Sequence, residues 1–207
     1  MHFLITAGPT REPIDPVRYI GNRSSGRMGL ALAHAAVNKG HKVTLVLGPV
    51  SIAMPHMAGV KRVDVESSQQ MQDAVMAHFD EADVLIMAAA VADYRPKKVS
   101  AMKLGREGSL TIELEGTTDI VAAASAKKQS DQRTIGFSLE HEGALDRARS
   151  KMTRKKLDLM VFNPTETMNA DTVQATLLYP DGRMEPLAVT DKQSFADVLI
   201  DRAEELF

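Results

Sequence analysis

The 207-residue chain contains no cysteine. Disulfides, a thiolate nucleophile and cysteine-ligated zinc or iron–sulfur centres are thereby excluded. No apolar run approaches the roughly 18–20 residues that a bilayer-spanning helix needs, so no membrane partner is expected. The chain enters a strand at once, without a charged leader and apolar core, which argues against a signal peptide and for a cytoplasmic location. The six histidines are scattered, no two of them at the spacing of a helical zinc site. His34, His41, His56 and His141 therefore read as surface or packing residues, and the twelve methionines as core filler. Acid is missing locally as well. From Pro16 to Val63 there is no Asp or Glu, while Arg18, Arg23, Arg27, Lys39, Lys42, Lys61 and Arg62 are present. With a net charge of only −2, attraction of the whole domain to nucleic acid is not expected. A local basic site suits a small anionic ligand better.

What is present is an alternation of apolar runs and helical stretches. Strands are expected at His2–Ala7, Lys42–Leu47, 60–65, 84–89, 134–139 and 159–162. Their nearly continuous apolar character is that of strands buried on both faces of a parallel sheet. Helices are expected at 26–39, Ser68–Phe79, 119–128, 142–156 and 194–206, with Ser67 or Ser68 capping the second and Thr118 the third. The order predicts one α/β domain over 1–207: a Rossmann-like, doubly wound, mostly parallel sheet. Two segments break the rhythm. Residues 94–108 form a polar connection carrying Arg95, Lys97, Lys98, Lys103 and Arg106, long enough to be a functional loop. Residues 174–179 and 183–189, joined by Pro180-Asp181-Gly182, predict a C-terminal antiparallel β-hairpin that extends the sheet or serves as a dimerisation flap.

The opening stretch ITAGPTREPIDPVRYIGNRSSGRMG, residues 5–29, carries the most chemistry. A strand runs into a polar turn with Gly8, Gly21 and Gly26, and a helix follows. Such a turn presents backbone N–H groups and a positive helix end to an anion. The run from Gly21 to Met28 nearly matches a phosphate loop, but Arg27 stands at the lysine and Met28 at the Mg²⁺-binding hydroxyl, so a Walker-type NTPase is rejected. It is not a dinucleotide fingerprint either, and the second strand is followed by Gly48-Pro49-Val50-Ser51 with no acid for a ribose. A turn that merely let a helix pack would have little use for Asn22, Arg23, Ser24 and Ser25.

Further along, Ala89 and Ala90 at a strand end would permit close approach of a ligand, with Asp93 at the carboxyl end of the strand for a metal or a nucleotide's polar groups. Lys151 and Lys155, four apart, share a helical face and could grip a triphosphate, although cations also suit a helix C-terminus.

The blocks TAGPTREPIDPVRYIGNRSSGRMG at 6–29, AAVADYRP at 89–96, GFSLE at 136–140 and ARSKMTRKKLD at 148–158 resemble one family. It is phosphopantothenate–cysteine ligase, or phosphopantothenoylcysteine synthetase, the second half of many bacterial coenzyme A biosynthesis proteins. The resemblance covers the whole chain and lacks the flavin-dependent decarboxylase half, which implies a stand-alone ligase with neither flavin nor NAD. It implies attack of the 4′-phosphopantothenate carboxylate on the α-phosphate of CTP, giving an acyl-cytidylate and pyrophosphate. L-cysteine then displaces CMP, with Mg²⁺ accompanying the nucleotide, in a homodimer. By the same resemblance Asn22, Arg18 and Lys103 are the working residues, and Lys103 belongs to the second step. Gly8, Ser24, Ser25, Gly26, Ala89 and Ala90 would bind the intermediate with Arg18 and Asn22. Asp93, Lys103, Thr117, Thr118, Asp119, Ile120, Phe137, Lys151 and Lys155 would hold CTP.

Three departures stand out. The family's K-x-K-K loop reads Lys103-Leu104-Gly105-Arg106, its Asn-Pro-Asp turn reads Thr117-Thr118-Asp119, and its GFAAE reads Gly136-Phe137-Ser138-Leu139-Glu140. The alternatives are an NADP-dependent reductase on a Rossmann sheet and a non-catalytic nucleotide-binding regulatory domain.

Overall fold

The computed structural model describes residues 1–52, 57–106, 108–140, 145–164 and 172–207. His56, His141 and the expected helix residues 142–144 lie outside the described residues. In chain order the first elements are β1 (His2–Ala7), β2 (Arg11–Pro13), β3 (Tyr19–Gly21), α1 (Arg27–Asn38), β4 (Lys42–Leu47), β5 (Val60–Asp64) and α2 (Ser68–Phe79). Next come β6 (Val84–Met87), β7 (Tyr94–Pro96), β8 (Leu114–Gly116), α3 (Ile120–Ser125), β9 (Arg133–Glu140) and α4 (Leu145–Lys155). The chain closes with β10 (Leu159–Pro164), β11 (Thr172–Val173), β12 (Thr176–Leu178), β13 (Met184–Pro186), β14 (Thr190–Asp191) and α5 (Lys192–Glu204).

The main sheet runs β13-β12-β10-β9-β6-β1-β4-β5. From β10 to β5 every pairing is parallel, and β12 and β13 extend the β10 edge antiparallel. The C-terminal hairpin is thus a sheet extension. Phe3, Leu4 and Ile5 on β1 are all completely buried because successive side chains enter opposite layers. Phe3 and Ile5 join Leu32 and Ala36 of α1 and Phe195 and Leu199 of α5. Leu4 joins Met71 and Val75 of α2, Ala124 of α3 and Met152 of α4. Each such Leu, Ile or Phe contributes about 1.5–3 kcal/mol by burial. Both faces of the sheet are covered, hence the continuous apolar runs.

Several boundaries differ from expectation. β6 ends at Met87, two residues before the expected strand end, and α3 ends at Ser125, three residues before the expected helix end. Ser67 caps α2 with a full capping box to Gln70. Asp119 rather than Thr118 caps α3, its side chain accepting from the Ala122 N–H. The polar connection at 94–108 begins as β7, which pairs with β8 to make a two-stranded arm. A second small hairpin, β2–β3, lies inside the opening turn. No helix among the described residues is long and apolar enough to cross a membrane.

Candidate active site

β1 and β6 lie side by side, and the chain winds outward from them in opposite directions, through β4 and β5 on one side and β9 and β10 on the other. That reversal opens a crevice beyond the carboxyl ends of the strands. The floor of the crevice is zipped shut by backbone. Ala90 N–H donates to Gly8 O at 2.9 Å and Thr10 N–H to Ala90 O at 3.3 Å. Buried hydroxyls finish the seam: Thr6 Oγ1 accepts from Ala89 N–H at 3.1 Å and Thr10 Oγ1 from Ala92 N–H at 2.9 Å. The N–H groups of Ala89 and Ala90 are therefore committed to the fold, so close approach by a ligand is to small side chains and carbonyls.

Helix α1 starts beside this seam. Its cap, Gly26, has φ +76° and no side-chain cap bond. A Cβ on Gly29 would stand 2.4 Å from the Ala7 Cβ, so α1 can lie this close to β1 only as glycine. The hairpin β2–β3 is fastened from the other side. Buried Glu12 accepts the Ser68 N–H at 2.7 Å, a carboxylate placed at the positive end of α2. So anchored, β3 delivers Asn22, whose Nδ2 donates to Val91 O at 2.8 Å and more weakly to Ala90 O at 3.4 Å. The amide's remaining acceptor is then Oδ1.

Asn22 forms one wall of a cavity of about 690 Å³, in the size range of small-molecule sites. Ala89, Ala90 and Asp93 line it from the seam, Thr117 to Ile120 from the start of α3, and Phe137 and Ser138 from the end of β9. Lys151 and Lys155 of α4 complete it. Residues drawn from five separated stretches of the chain thus converge on one hollow. Lys155 Nζ lies 3.0 Å from Asp119 Oδ2, so Asp119 is occupied twice, as helix cap and as ion-pair partner. Thr117 is occupied too, its hydroxyl donating to Ala92 O at 2.6 Å. Ser24, Ser25 and Gly26 line an adjoining hollow of about 160 Å³ at the start of α1, together with Lys192 of α5; Arg23 and Ala90 face both. No group of three or more His, Asp or Glu able to hold a metal occurs among the described residues.

The family model of the DNA/pantothenate metabolism flavoprotein C-terminal domain matches residues 1–206. The chain belongs to this family. It is 41% identical over 210 residues to the coenzyme A biosynthesis bifunctional protein CoaBC of Vibrio parahaemolyticus, covering 98% of this chain and 52% of that protein. To its namesake in Escherichia coli K12 it is 42% identical over 209 residues, covering 97% and 51%. The chain thus spans about half the length of the curated relatives it matches. The crystal structure of the C-terminal domain of CoaBC superposes with a TM-score of 0.85 at 39% identity, covering 99% of this chain and 94% of that one. A Cab2 mutant in complex with phosphopantothenate-cysteine shares the fold at a TM-score of 0.80 and 15% identity, covering 99% and 87%.

Not every residue that the family motifs single out reaches the cavity. Gly8, Arg18 and Lys103 line neither hollow. Gly8 serves the turn after β1, in a left-handed conformation with φ +79°. The Arg18 guanidinium is engaged by Asp15, through Nε at 2.9 Å and through Nη2, and Nη2 also donates to Leu104 O at 2.9 Å. Arg18 therefore belongs with the arm that carries Lys103. Asp15 itself is buried, and the Arg18 guanidinium holds its carboxyl well below the usual carboxylate range against the opposing effect of burial. The N–H groups of Val17, Leu104 and Arg18 add to that depression.

Sequence reasoning missed two groups. Asp15 could have been found from its i,i+3 spacing to Arg18, although nothing local points to Leu104. Ser138 could have been found as a departure from the family's alanine. Its buried Oγ has no hydrogen-bond partner among the described residues although it belongs to the cavity wall.

Proposed function

We propose that this chain joins 4′-phosphopantothenate to L-cysteine through an acyl-cytidylate formed with CTP. The observation that carries this reading is the convergence of Asn22, Asp93, Phe137, Lys151 and Lys155 on one cavity of about 690 Å³ at the switch point of the sheet. Family membership supports it, as do relatives named for coenzyme A biosynthesis. In the first step a carboxylate oxygen of 4′-phosphopantothenate attacks the α-phosphorus of CTP and the bond to pyrophosphate breaks. In the second, the cysteine amine attacks the acyl carbon, the bond to CMP breaks and the amine gives up a proton. Neither step needs a nucleophile from the protein. What the chain supplies is position and positive charge.

Lys151 and Lys155 are assigned to the phosphates. Asn22, held by the Ala90 and Val91 carbonyls, would present Oδ1 and the outer edge of its amide to the substrate. A divalent ion such as Mg²⁺ would neutralise the triphosphate. With Asp119 already capping α3 and pairing with Lys155, Asp93 is the carboxylate of the wall best suited to help hold it. The two small arms support a homodimer. They expose Val17, Tyr19, Tyr94, Val99 and Met102 by 51–78%, apolar side chains that a second copy would cover. Light scattering should then return twice the mass of the chain.

The test is pyrophosphate release in the presence of a divalent ion. It should require CTP and 4′-phosphopantothenate together, and L-cysteine should convert the product to the amide seen by mass spectrometry. Release without 4′-phosphopantothenate would refute the reading. Binding of CTP with no release in any combination would instead favour a non-catalytic nucleotide-binding domain.

A further inference from the structure

Asp15 makes more bonds than its turn requires. Its Oδ1 accepts the N–H groups of Val17 and Arg18, both at 2.9 Å, which is how an Asp ordinarily closes a local turn. Its Oδ2 faces elsewhere, accepting from the Arg18 side chain and from the N–H of Leu104 at 3.1 Å, 89 residues along the chain. Arg18 Nη2 in turn donates to the Leu104 carbonyl at 2.9 Å. Both polar backbone groups of Leu104 are thus clasped by one carboxylate–guanidinium pair. A second tie, Ser100 N–H to Ile14 O at 2.9 Å, grips the same segment three residues further back from Lys103. Outside these ties residues 97–106 contain no strand or helix.

We propose that Asp15 is a positioning residue for the cysteine-dependent step: with Arg18 it clasps Leu104 and so fixes the backbone that carries Lys103. This rests on the ligase reading above and on Lys103 acting in the second step. A clasp on the neighbouring residue sets where the lysine's Cα stands, and a misplacement of about 1 Å can cost about 100-fold in rate. The nucleotide cavity shares none of these bonds, so Asp15 should leave CTP binding alone.

The experiment compares wild type with Asp15→Asn, which keeps the size of the side chain and removes its charge. Two quantities are read on the full chain: tryptic cleavage after Lys103 and Arg106, and the kinetics of each step. Cleavage at these two sites should rise about tenfold as the segment opens more readily. Amide formation should fall about 10- to 100-fold while pyrophosphate release and the KM for CTP stay within about threefold of wild type. Wild-type amide formation, with or without faster cleavage, overturns the proposal, as does an equal loss in both steps. Should Asp15→Asn fail to fold, Leu104→Pro decides by the step kinetics and by cleavage after Arg106 alone, because trypsin does not cut a Lys–Pro bond; the variant deletes the N–H that Asp15 accepts and leaves the Asp15–Arg18 pair in place. If wild type itself releases no pyrophosphate with any combination of substrates, the ligase reading falls and the catalytic part of this proposal with it. The cleavage comparison would still show whether the clasp holds the segment.

Discussion

Arg18 and Asn22 stand four residues apart in one motif, yet the fold sends them to different places. Asn22 follows β3 into the crevice and donates to the carbonyls of Ala90 and Val91. Arg18 stays in the turn before β3, paired with Asp15 and holding Leu104. One region is a cavity walled by the carboxyl ends of the central strands. The other is an arm of two short hairpins, half exposed, that carries Lys103. The difference teaches that a contiguous motif need not be a contiguous site. In the proposed reading the cavity takes the nucleotide, and the arm holds a basic segment in register. If the division is real, substitutions in the two regions should damage different steps.

The largest effect is expected at Asn22. Replacing it with Asp sets a carboxylate against the Val91 and Ala90 carbonyls and against an anionic intermediate. Turnover should drop about 100- to 1,000-fold, comparable to losing a preorganised polar contact, with the melting temperature nearly unchanged. A wild-type rate would remove Asn22 from the site. Next is Lys155→Gln, which breaks the 3.0 Å pair with Asp119 and removes one cation from the cavity wall. The KM for CTP should rise about tenfold, the size of one charged hydrogen bond of roughly 1.5 kcal/mol. An unchanged KM would mean that the phosphates lie elsewhere.

Smaller and of opposite sign in two assays is Ser138→Ala. Without ligand the variant should be no less stable than wild type, because the hydroxyl it removes is buried and unpartnered. If a bound nucleotide supplies the missing partner, affinity for CTP should fall about fivefold, roughly 1 kcal/mol. Calorimetry on both proteins checks the pair of outcomes. Unchanged affinity would take Ser138 out of the binding surface.

The arm has a pH signature of its own. The Asp15 carboxyl is held low in the folded chain, first of all by Arg18. Its stabilisation is therefore complete above the unfolded value of about 3.9 and is lost as pH falls through the lower folded value. The stability gap between wild type and Asp15→Asn should be widest above about pH 5 and shrink on acidification, followed by urea melts at several pH values. A gap that does not narrow would mean that the effect is steric and not ionic.

The parallel sheet was legible because β1, β4 and β6 bury side chains into both layers, leaving runs such as FLI in which no polar residue interrupts. Eleven of the residues inferred from the motifs (Asn22, Ala89, Ala90, Asp93, Thr117, Thr118, Asp119, Ile120, Phe137, Lys151 and Lys155) do line one cavity, since strand ends and helix starts bring them to the same rim. The two hairpins were not legible. Each strand in them is three residues long and partly exposed, too short for an alternating pattern to show. They are set by distant bonds, such as Glu12 to the Ser68 N–H and Asp15 to the Leu104 N–H. The cap of α3 was misplaced by one residue because Thr118 and Asp119 can both cap, and their local sequence does not choose between them.

The most direct test of the division is a rapid-quench comparison of wild type, Asn22→Asp and Lys103→Gln, mixed with CTP and 4′-phosphopantothenate and then with L-cysteine. Lys103→Gln should form the acyl-cytidylate and pyrophosphate at nearly the wild-type rate and accumulate the intermediate, while Asn22→Asp turns over scarcely at all. Equal loss of pyrophosphate release in both variants, or amide formation by Lys103→Gln at the wild-type rate, would contradict the account.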